Sequence, residues 1–239
     1  MQSKFLAKIV RNNFLIIFSF FLFFNCSPSG QLHYIAPEYK NLQQSTALVM
    51  VMPFITKMID PMQREILIDK KNEQKKPLTD REIELFENYI SPLLAENTYA
   101  KIVQPDNSFK ASDLKLTYQV IQNESEQKVS LFIPTSKQVV YKGETPDYLL
   151  LFEDLYFLKD ATEKGLSLGR GTSTSYSMNG GIEYLLWDNK KGKVAAYGKL
   201  YKKLKLLSVP SKEDYMVLLE NFASSIIANS PLSARKIYF

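Results

Sequence analysis

Residues Tyr148 to Leu158 read YLLLFEDLYFL, the most apolar stretch of the chain beyond residue 26. A short apolar run of this kind predicts a strand at the centre of a sheet. Glu153 and Asp154 interrupt the run, and neighbouring residues of a regular strand point to opposite faces. We therefore expect one carboxylate to face solvent and the other to pair with a base or end a ladder. The two are not expected to converge as a glycosidase pair.

Further strands are predicted on both sides of this segment. Ala47 to Met52 (ALVMVM) is an unbroken apolar run that suits a strand buried on both faces. Residues 182–187 and 194–204 flank the polar link 189–193, and a glycine in such a link predicts a hairpin. The second arm of this hairpin is expected to turn three lysines to water: Lys199, Lys203 and Lys205.

Four other regions have shorter or mixed patterns. Residues 99–103 and 129–133 are expected to form short strands, since each is rich in apolar or β-branched residues. Residues 114–121 fit either a helix or a strand. Residues 169–181 are rich in Gly, Ser and Thr, so we expect a loop or an irregular edge strand there.

Two helices are predicted. Thr79 and Glu82 have capping-box spacing, and apolar residues follow them at helical intervals. Pro92 is expected to kink or restart this helix, because it lacks the backbone N–H. A second helix begins after Ser211 and ends at Asn229. Its apolar stripe consists of Tyr215, Leu219, Phe222 and Ile226.

The order of these elements predicts the fold class. Strands mixed with helices indicate an α/β or α+β domain, in which a mixed sheet carries two or more packed helices. The chain is 45% hydrophobic and 23% charged, which is ordinary for a folded protein. We expect one globular domain over residues 46–239.

The first 25 residues have the order of a secretory signal peptide. Lys4, Lys8 and Arg11 supply positive charge, and Phe14 to Phe24 (FLIIFSFFLFF) supply the apolar core. A membrane-spanning helix needs about 20 apolar residues, and this run is shorter. We therefore predict a signal peptide over residues 1–25 rather than a transmembrane anchor.

The end of that segment, Leu22 to Cys26 (LFFNC), resembles the lipobox of bacterial lipoproteins, with Phe24 and Asn25 in place of the usual small residues. The resemblance implies that Cys26 becomes the first residue and carries lipid, which anchors the protein in the cell envelope. With Ser27 following, it favours the outer membrane over the inner. Cys26 is the only cysteine, which excludes an intrachain disulfide. Residues 26–45 are then expected to be a flexible tether.

Charge gives no indication of a nucleic-acid partner. The whole chain has a net charge of +5, but Lys4, Lys8 and Arg11 supply three of these charges, so residues 26–239 carry +2. Domains that bind nucleic acid concentrate many basic residues on one face. No nucleic-acid partner is therefore expected.

The residues that carry chemistry form no recognisable catalytic set. His33 is the only histidine and lies in the predicted tether, which argues against a Ser-His-Asp triad and a histidine metal site. Ser233 and Lys236 have Ser-x-x-Lys spacing, a motif too short to be specific. The segment 169–173 (GRGTS) lacks the lysine of a phosphate-binding loop. No catalytic residue, cofactor or metal ligand is predicted.

Three aromatic residues near the predicted hairpin allow two interpretations. Trp187, Tyr184 and Tyr197 fit either an aromatic platform for a ligand or packing within the sheet. Packing is favoured, because aromatic pairs across neighbouring strands are a common way to stabilise a sheet.

The segment Ile182 to Leu200 (IEYLLWDNKKGKVAAYGKL) is similar to part of small envelope lipoproteins of the curli-secretion (CsgG-like) and penicillin-binding-protein-activator type. In those proteins a strand, an Asp, a Gly-Lys turn and a second strand follow one another, and Asp188, Gly192 and Lys193 match this order. The resemblance implies a mixed α/β sheet and an assembly or regulatory role. It supplies no catalytic residues.

These observations together predict a membrane-anchored envelope lipoprotein that is not an enzyme and acts as an accessory, assembly or interaction factor for another envelope protein. Two alternatives stay open. The aromatic-rich strands fit a binder of a small or lipidic ligand. The second alternative is an enzyme that uses carboxylate, Ser, Lys or Tyr side chains instead of histidine.

Overall fold

The computed structural model describes residues 31–44, 46–53, 78–105, 113–122, 126–135, 138–140, 142–165 and 172–235. The predicted signal peptide and the lipidation site Cys26 lie outside the described residues, so both stay predictions. Neither helix of the described part is long and apolar enough to cross a membrane.

The described residues form strands with two long helices among them. They follow in the order β1 (Leu32–Ile35), a 3-10 turn (Pro37–Tyr39), β2 (Leu48–Val51), α1 (Asp80–Asn97), β3 (Lys101–Val103), β4 (Leu114–Gln122), β5 (Glu126–Pro134), β6 (Tyr148–Gly165), β7 (Thr172–Asp188), β8 (Lys193–Leu206) and α2 (Lys212–Ala228). The predictions of strands at 47–52 and 129–133 and of a hairpin over 182–204 are confirmed. Residues 114–121, which fitted either state, form a strand.

The main sheet has six strands in the order β1-β8-β7-β6-β2-β3. Strand β2 runs parallel to β3 and β6, and the other neighbours are antiparallel. Parallel strands need a crossover connection, and α1 lies in the connection between β2 and β3. A separate two-stranded sheet consists of β4 and β5. The expected α/β or α+β class, with a mixed sheet and helices, is confirmed.

Residues 148–153 of β6 are buried on both faces of the sheet, which explains the apolar sequence with which this strand begins. Leu150 and Phe152 belong to the core on the helix side, where Phe86 of α1 meets Phe152 edge-on with ring centroids 4.8 Å apart. Leu149 and Leu151 belong to a second core, which includes Val129, Leu131 and Ile133 of β5. The main sheet therefore has a helix side and a hairpin side.

The predicted helix starts are confirmed. The Glu82 backbone N–H donates to Thr79 Oγ1 at 3.3 Å, and the Thr79 N–H donates to Glu82 Oε2 at 3.0 Å. This reciprocal pair is the capping box. Helix α1 continues through Pro92 to Asn97, so the expected restart at Pro92 does not occur.

The expectation of a flexible tether over residues 26–45 is wrong for its second half. Leu32–Ile35 forms β1 and pairs with residues 199 to 196 of β8. Tyr39 is 1% exposed, and Gln44 makes a β-bridge to Leu232. The domain therefore begins at Leu32 rather than at residue 46. A four-residue strand has too short a pattern to stand out beside the prolines and glycine around it.

The expectation of a loop or edge strand at 169–181 is also wrong where residues are described. Residues 172–181 belong to β7, which lies inside the sheet between β6 and β8. A Cβ atom at Gly181 would lie 2.2 Å from Tyr156 Cε1, and one at Gly180 would lie 3.0 Å from Leu218 Cδ1. These glycines allow close packing of neighbouring side chains instead of marking a loop.

Candidate functional site

Glu183 is the centre of a buried polar cluster on the hairpin side of the sheet. Its carboxylate is bound by two residues of β8: Oε1 accepts a hydrogen bond from Tyr197 Oη at 2.5 Å, and Oε2 lies 3.2 Å from Lys199 Nζ. Glu183 is 5% exposed and Tyr197 is fully buried. A carboxylate withdrawn from water needs such charge-assisted partners. The cluster therefore ties β7 to β8.

Glu153 lies at a β-bulge next to this cluster. The register of β6 against β7 shifts between Phe152 and Asp154. Phe152 and Leu155 both belong to the helix-side core, so the two residues between them both fall on the hairpin side. The expectation that Glu153 and Asp154 point to opposite faces is therefore wrong, because the bulge adds one residue to the strand.

The bulge directs the Glu153 side chain to the small hairpin. Its Oε1 accepts a hydrogen bond from the Phe132 backbone N–H of β5 at 2.6 Å. Phe132 pairs with Leu116 of β4 on its other side, so this N–H belongs to the free edge of the small hairpin. Glu153 thus attaches the hairpin to the main sheet through a backbone N–H, whereas the sequence predicts that one of the two carboxylates pairs with a base or ends a ladder.

The carboxylates of Glu183, Glu153 and Asp154 all affect the pKa of the Tyr197 phenol. Burial raises the pKa of Tyr197 far above its ordinary value, and Glu183, Glu153 and Asp154 raise it further. An anionic phenol would meet negative charge and low dielectric there, so Tyr197 stays a neutral hydrogen-bond donor. Chemically, the cluster can hold a proton at Tyr197 Oη and direct it at Glu183.

A second polar network, which we call the turn network, lies at the β7–β8 turn. It consists of Tyr39, Asp147, Asp188 and Asn189 with the lysines 190, 191 and 193. Asp188 is 5% exposed; its Oδ2 accepts from Tyr39 Oη at 2.6 Å and its Oδ1 from the Lys191 N–H at 2.7 Å. Burial first, and then the bond to Asp188, raise the pKa of Tyr39.

Asn189 and Asp147 extend the turn network to neighbouring segments. The Asn189 side chain accepts from the Val139 N–H at 2.8 Å and donates to the Val139 and Pro146 carbonyls at 2.8 and 3.0 Å. Asp147 Oδ2 accepts from the Leu48 N–H at 2.7 Å, and its Oδ1 lies 2.5 Å from Lys190 Nζ. Each side chain thus fixes a different segment at this end of the sheet.

The structure brings together the three residues that carry the lipoprotein resemblance. Asp188 begins the turn, Gly192 adopts a positive φ of 66° within it, and Lys193 pairs with Glu38. Lys191 and Lys193 also lie over the Tyr39 ring, 4.8 and 5.7 Å from its centroid. In this chain the motif therefore fastens residues 36–40 to the β7–β8 turn.

The aromatic residues Trp187, Tyr184 and Tyr197 do not form one platform. Tyr184 belongs to the helix-side core, whereas Trp187 and Tyr197 belong to the hairpin-side core. All three are at most 5% exposed. The favoured interpretation, packing within the sheet, is confirmed. Trp187 Nε1 and Tyr184 Oη have no hydrogen-bond partner among the described residues.

The remaining predicted motifs are only partly described. Ser233 is 9% exposed, and its backbone bonds to Gln44 and Tyr99, while Lys236 lies outside the described residues. Of the segment 169–173, only residues 172 and 173 are described, as part of β7. No group of three His, Cys, Asp or Glu side chains in the described part of the chain is arranged to hold a metal ion.

The far end of β8 carries an exposed surface, which we call the basic strand end: Lys203, Lys205, Leu207 and Val209. Both lysines are exposed, as their alternation predicts, whereas Lys199 is half-buried against Glu183. Leu207 is 104% exposed and Val209 is 65% exposed. Sequence reasoning identified the lysines but not the two apolar residues, because exposure of a connecting segment has no periodic signal.

Comparison with known proteins does not assign the chain to a family. No family model matches this sequence, and no curated protein matches it. The likeness to curli-secretion and activator lipoproteins therefore stays a prediction.

Proposed function

We propose that this protein is a lipoprotein of the bacterial cell envelope that is anchored through lipid on Cys26. It acts as an accessory or assembly factor by binding another envelope component, without catalysis. The observation that carries the proposal is the use of four buried polar side chains, each of which holds one element of the fold onto another: Glu153, Glu183, Asp188 and Asn189.

These four side chains act on different parts of the fold. Glu153 holds the β4–β5 hairpin, and Glu183 joins β7 to β8. Asp188 holds the Tyr39 segment, and Asn189 holds residues 139 and 146. A carboxylate whose oxygens accept bonds from the fold has less capacity left for a substrate. This supports the interpretation of the domain as a scaffold that presents binding surfaces rather than as an enzyme with a reactive centre.

The start of β1 supports a role close to the membrane. Leu32 follows Cys26 by six residues, and an extended chain spans at most about 3.6 Å per residue. A lipid on Cys26 would therefore hold the first strand within about 20 Å of the bilayer. A tether as long as residues 26–45 would allow roughly three times that reach. The partner is accordingly a component of the membrane surface or its immediate vicinity.

The experiment is crosslinked capture of the full-length protein from detergent-solubilised envelopes. Wild type, Cys26→Ala and Ser27→Ala are compared, since the last variant changes the neighbouring residue and leaves the lipid acceptor. The proposal expects one reproducible partner with wild type and Ser27→Ala, and its loss with Cys26→Ala. Globomycin, which blocks processing of lipoprotein precursors, should make the chain heavier for wild type and Ser27→Ala and should leave the mass of Cys26→Ala unchanged.

Two results would contradict the proposal. Unchanged migration under globomycin in a sensitive host would remove the lipid anchor. A chemical conversion by the purified protein that is abolished by Glu183→Gln, while the fold is retained, would replace the binding role by an enzymatic one.

A further inference from the structure

The described chain enters the sheet beside the basic strand end. Strand β1 is antiparallel to β8, with Leu32 opposite Lys199 and Ile35 opposite Ala196. The N-terminal end of β1 therefore points along β8 towards Leu206, away from the turn network. Lys203 and Lys205 lie four and six residues beyond Lys199, which is about 13 and 20 Å along a strand.

These distances match the reach of the proposed anchor. Leu32 is six positions after Cys26, so the lipid attachment point lies within about 20 Å of Leu32. The turn network lies at the other end of β8, which has 14 residues and is about 45 Å long. Because Lys199 lies near the middle of β8, both ends of the strand are about 20 Å from Leu32. The direction in which the chain enters β1 is therefore what favours the basic strand end as the end nearer to the membrane.

The two lysines of the basic strand end are not paired with a described acidic side chain. Lys203 and Lys205 form no ion pair with any described carboxylate, in contrast to Lys199 with Glu183 and Lys190 with Asp147. The Asn179 side chain, opposite Lys203 on β7, donates to Asp160 at 2.8 Å. The positive charge of this end is thus available to an external anion.

Apolar side chains lie directly beyond the lysines. Leu207 is the first residue beyond β8, two positions after Lys205, and Val209 follows two residues later. Leu207 is 104% exposed and Val209 is 65% exposed. Basic residues next to exposed apolar residues are the combination that binds an anionic membrane interface, where the lysines meet headgroups and the apolar side chains enter the acyl boundary.

We propose that the basic strand end docks on the anionic surface of the membrane that holds Cys26, with Lys203 and Lys205 at the lipid headgroups and Leu207 and Val209 in the interface. This inference rests on the proposed lipid anchor. Docking would fix the domain upright, with the turn network facing away from the bilayer and towards a partner.

The experiment places an environment-sensitive fluorophore at Leu207→Cys in the full-length, lipidated protein. The lipid consumes the Cys26 thiol, so the new cysteine is the one free thiol available for labelling. The protein is reconstituted into phosphatidylcholine vesicles with or without phosphatidylglycerol. Val140→Cys is the matched control, because Val140 is 61% exposed and follows Val139, whose backbone bonds to Asn189 of the turn network.

The expected result is a blue-shifted, brighter emission from position 207 in vesicles that contain phosphatidylglycerol, with no change at position 140. Adding Lys203→Gln and Lys205→Gln, which remove one positive charge each, should lower the docked-to-free ratio about fivefold for each lysine lost. Both lysines are exposed, so these changes leave the core intact.

Flotation of the vesicles separates the two ways in which the inference can fail. If the protein floats but the label at 207 emits as in water in both lipid compositions, the anchor stands and the docking inference is overturned. If the protein does not float with either vesicle, the anchor itself is wrong, and both the proposed function and the docking inference fall.

Discussion

The two ends of strand β8 use their polar side chains in opposite ways. At the turn network Asp188 is 5% exposed and binds Tyr39, 149 positions away in sequence. At the basic strand end Lys203 and Lys205 are exposed and have no ion-pair partner among the described residues. Polar groups of the turn network therefore stabilise the fold, whereas the lysines of the basic strand end remain available for binding.

The largest expected effect on stability is at the turn network. Asp188→Ala leaves the buried Tyr39 hydroxyl without its acceptor and should lower the free energy of unfolding by about 3 kcal/mol. Urea unfolding followed by circular dichroism measures this loss.

Asp188→Asn is the matched control, since it keeps an acceptor for Tyr39 Oη and should cost about 1 kcal/mol. A loss for Asp188→Ala no larger than that for exposed Glu144→Ala would break the comparison between the two ends.

A smaller and more local effect is expected at the bulge. Glu153→Ala removes the acceptor of the Phe132 N–H and should lower the stability of the β4–β5 hairpin by about 1–2 kcal/mol. Hydrogen exchange at the Phe132 amide measures this opening. Asp154→Ala, one residue further, is the control and should leave exchange at Phe132 nearly unchanged; equal effects of the two variants would remove the special role of Glu153.

At the basic strand end the effect on stability should be close to zero. Lys203→Ala and Lys205→Ala remove exposed side chains without a described partner, so each should change the free energy of unfolding by at most about 0.5 kcal/mol. Lys199→Ala on the same face is the contrast, since Lys199 pairs with buried Glu183. If Lys203→Ala were as costly as Lys199→Ala, the separation of stability from binding along β8 would be lost.

High pH should destabilise the fold through Tyr197, which lies in the buried part of β8. The pKa of Tyr197 is raised in the folded state, first by burial and then by Glu183, above its ordinary value of 10.0. The native state therefore keeps its proton while the unfolded state releases it, so the stabilisation is complete below pH 10 and is lost as the pH rises further. The Tyr197→Phe variant, which cannot titrate, should lose less stability than wild type over this range; parallel pH curves would refute the assignment.

Much of the fold is predictable because its signals are local. The apolar run at 148–158 indicates a strand buried on both faces, and the Thr79–Glu82 pair marks the start of α1. Strand β1 could not be found in this way, because its four residues are held by pairing with β8, which lies more than 160 positions away. Gly180 and Gly181 have the composition of a loop, but their missing side chains make room for Leu218 and Tyr156.

The candidate site was predictable only in part. Alternation along β8 identifies Lys203 and Lys205, and the turn motif identifies Asp188, but neither gives Tyr39 as the partner of Asp188. The bulge at Glu153 was not predicted either, since the adjacent carboxylates of Glu153 and Asp154 fit opposite faces of a regular strand as well as they fit a bulge. Long-range contacts thus decide what the polar residues of this sheet do.

The central claim is that lipid on Cys26 holds this domain at a membrane, and the intact mass of the protein extracted from bacterial envelopes tests it most directly. The account predicts a chain that starts at Cys26 and is heavier than its amino-acid sequence by a diacylglycerol and an amide-linked acyl group. A chain that keeps residues before Cys26, or one that carries an unmodified thiol there, would contradict it.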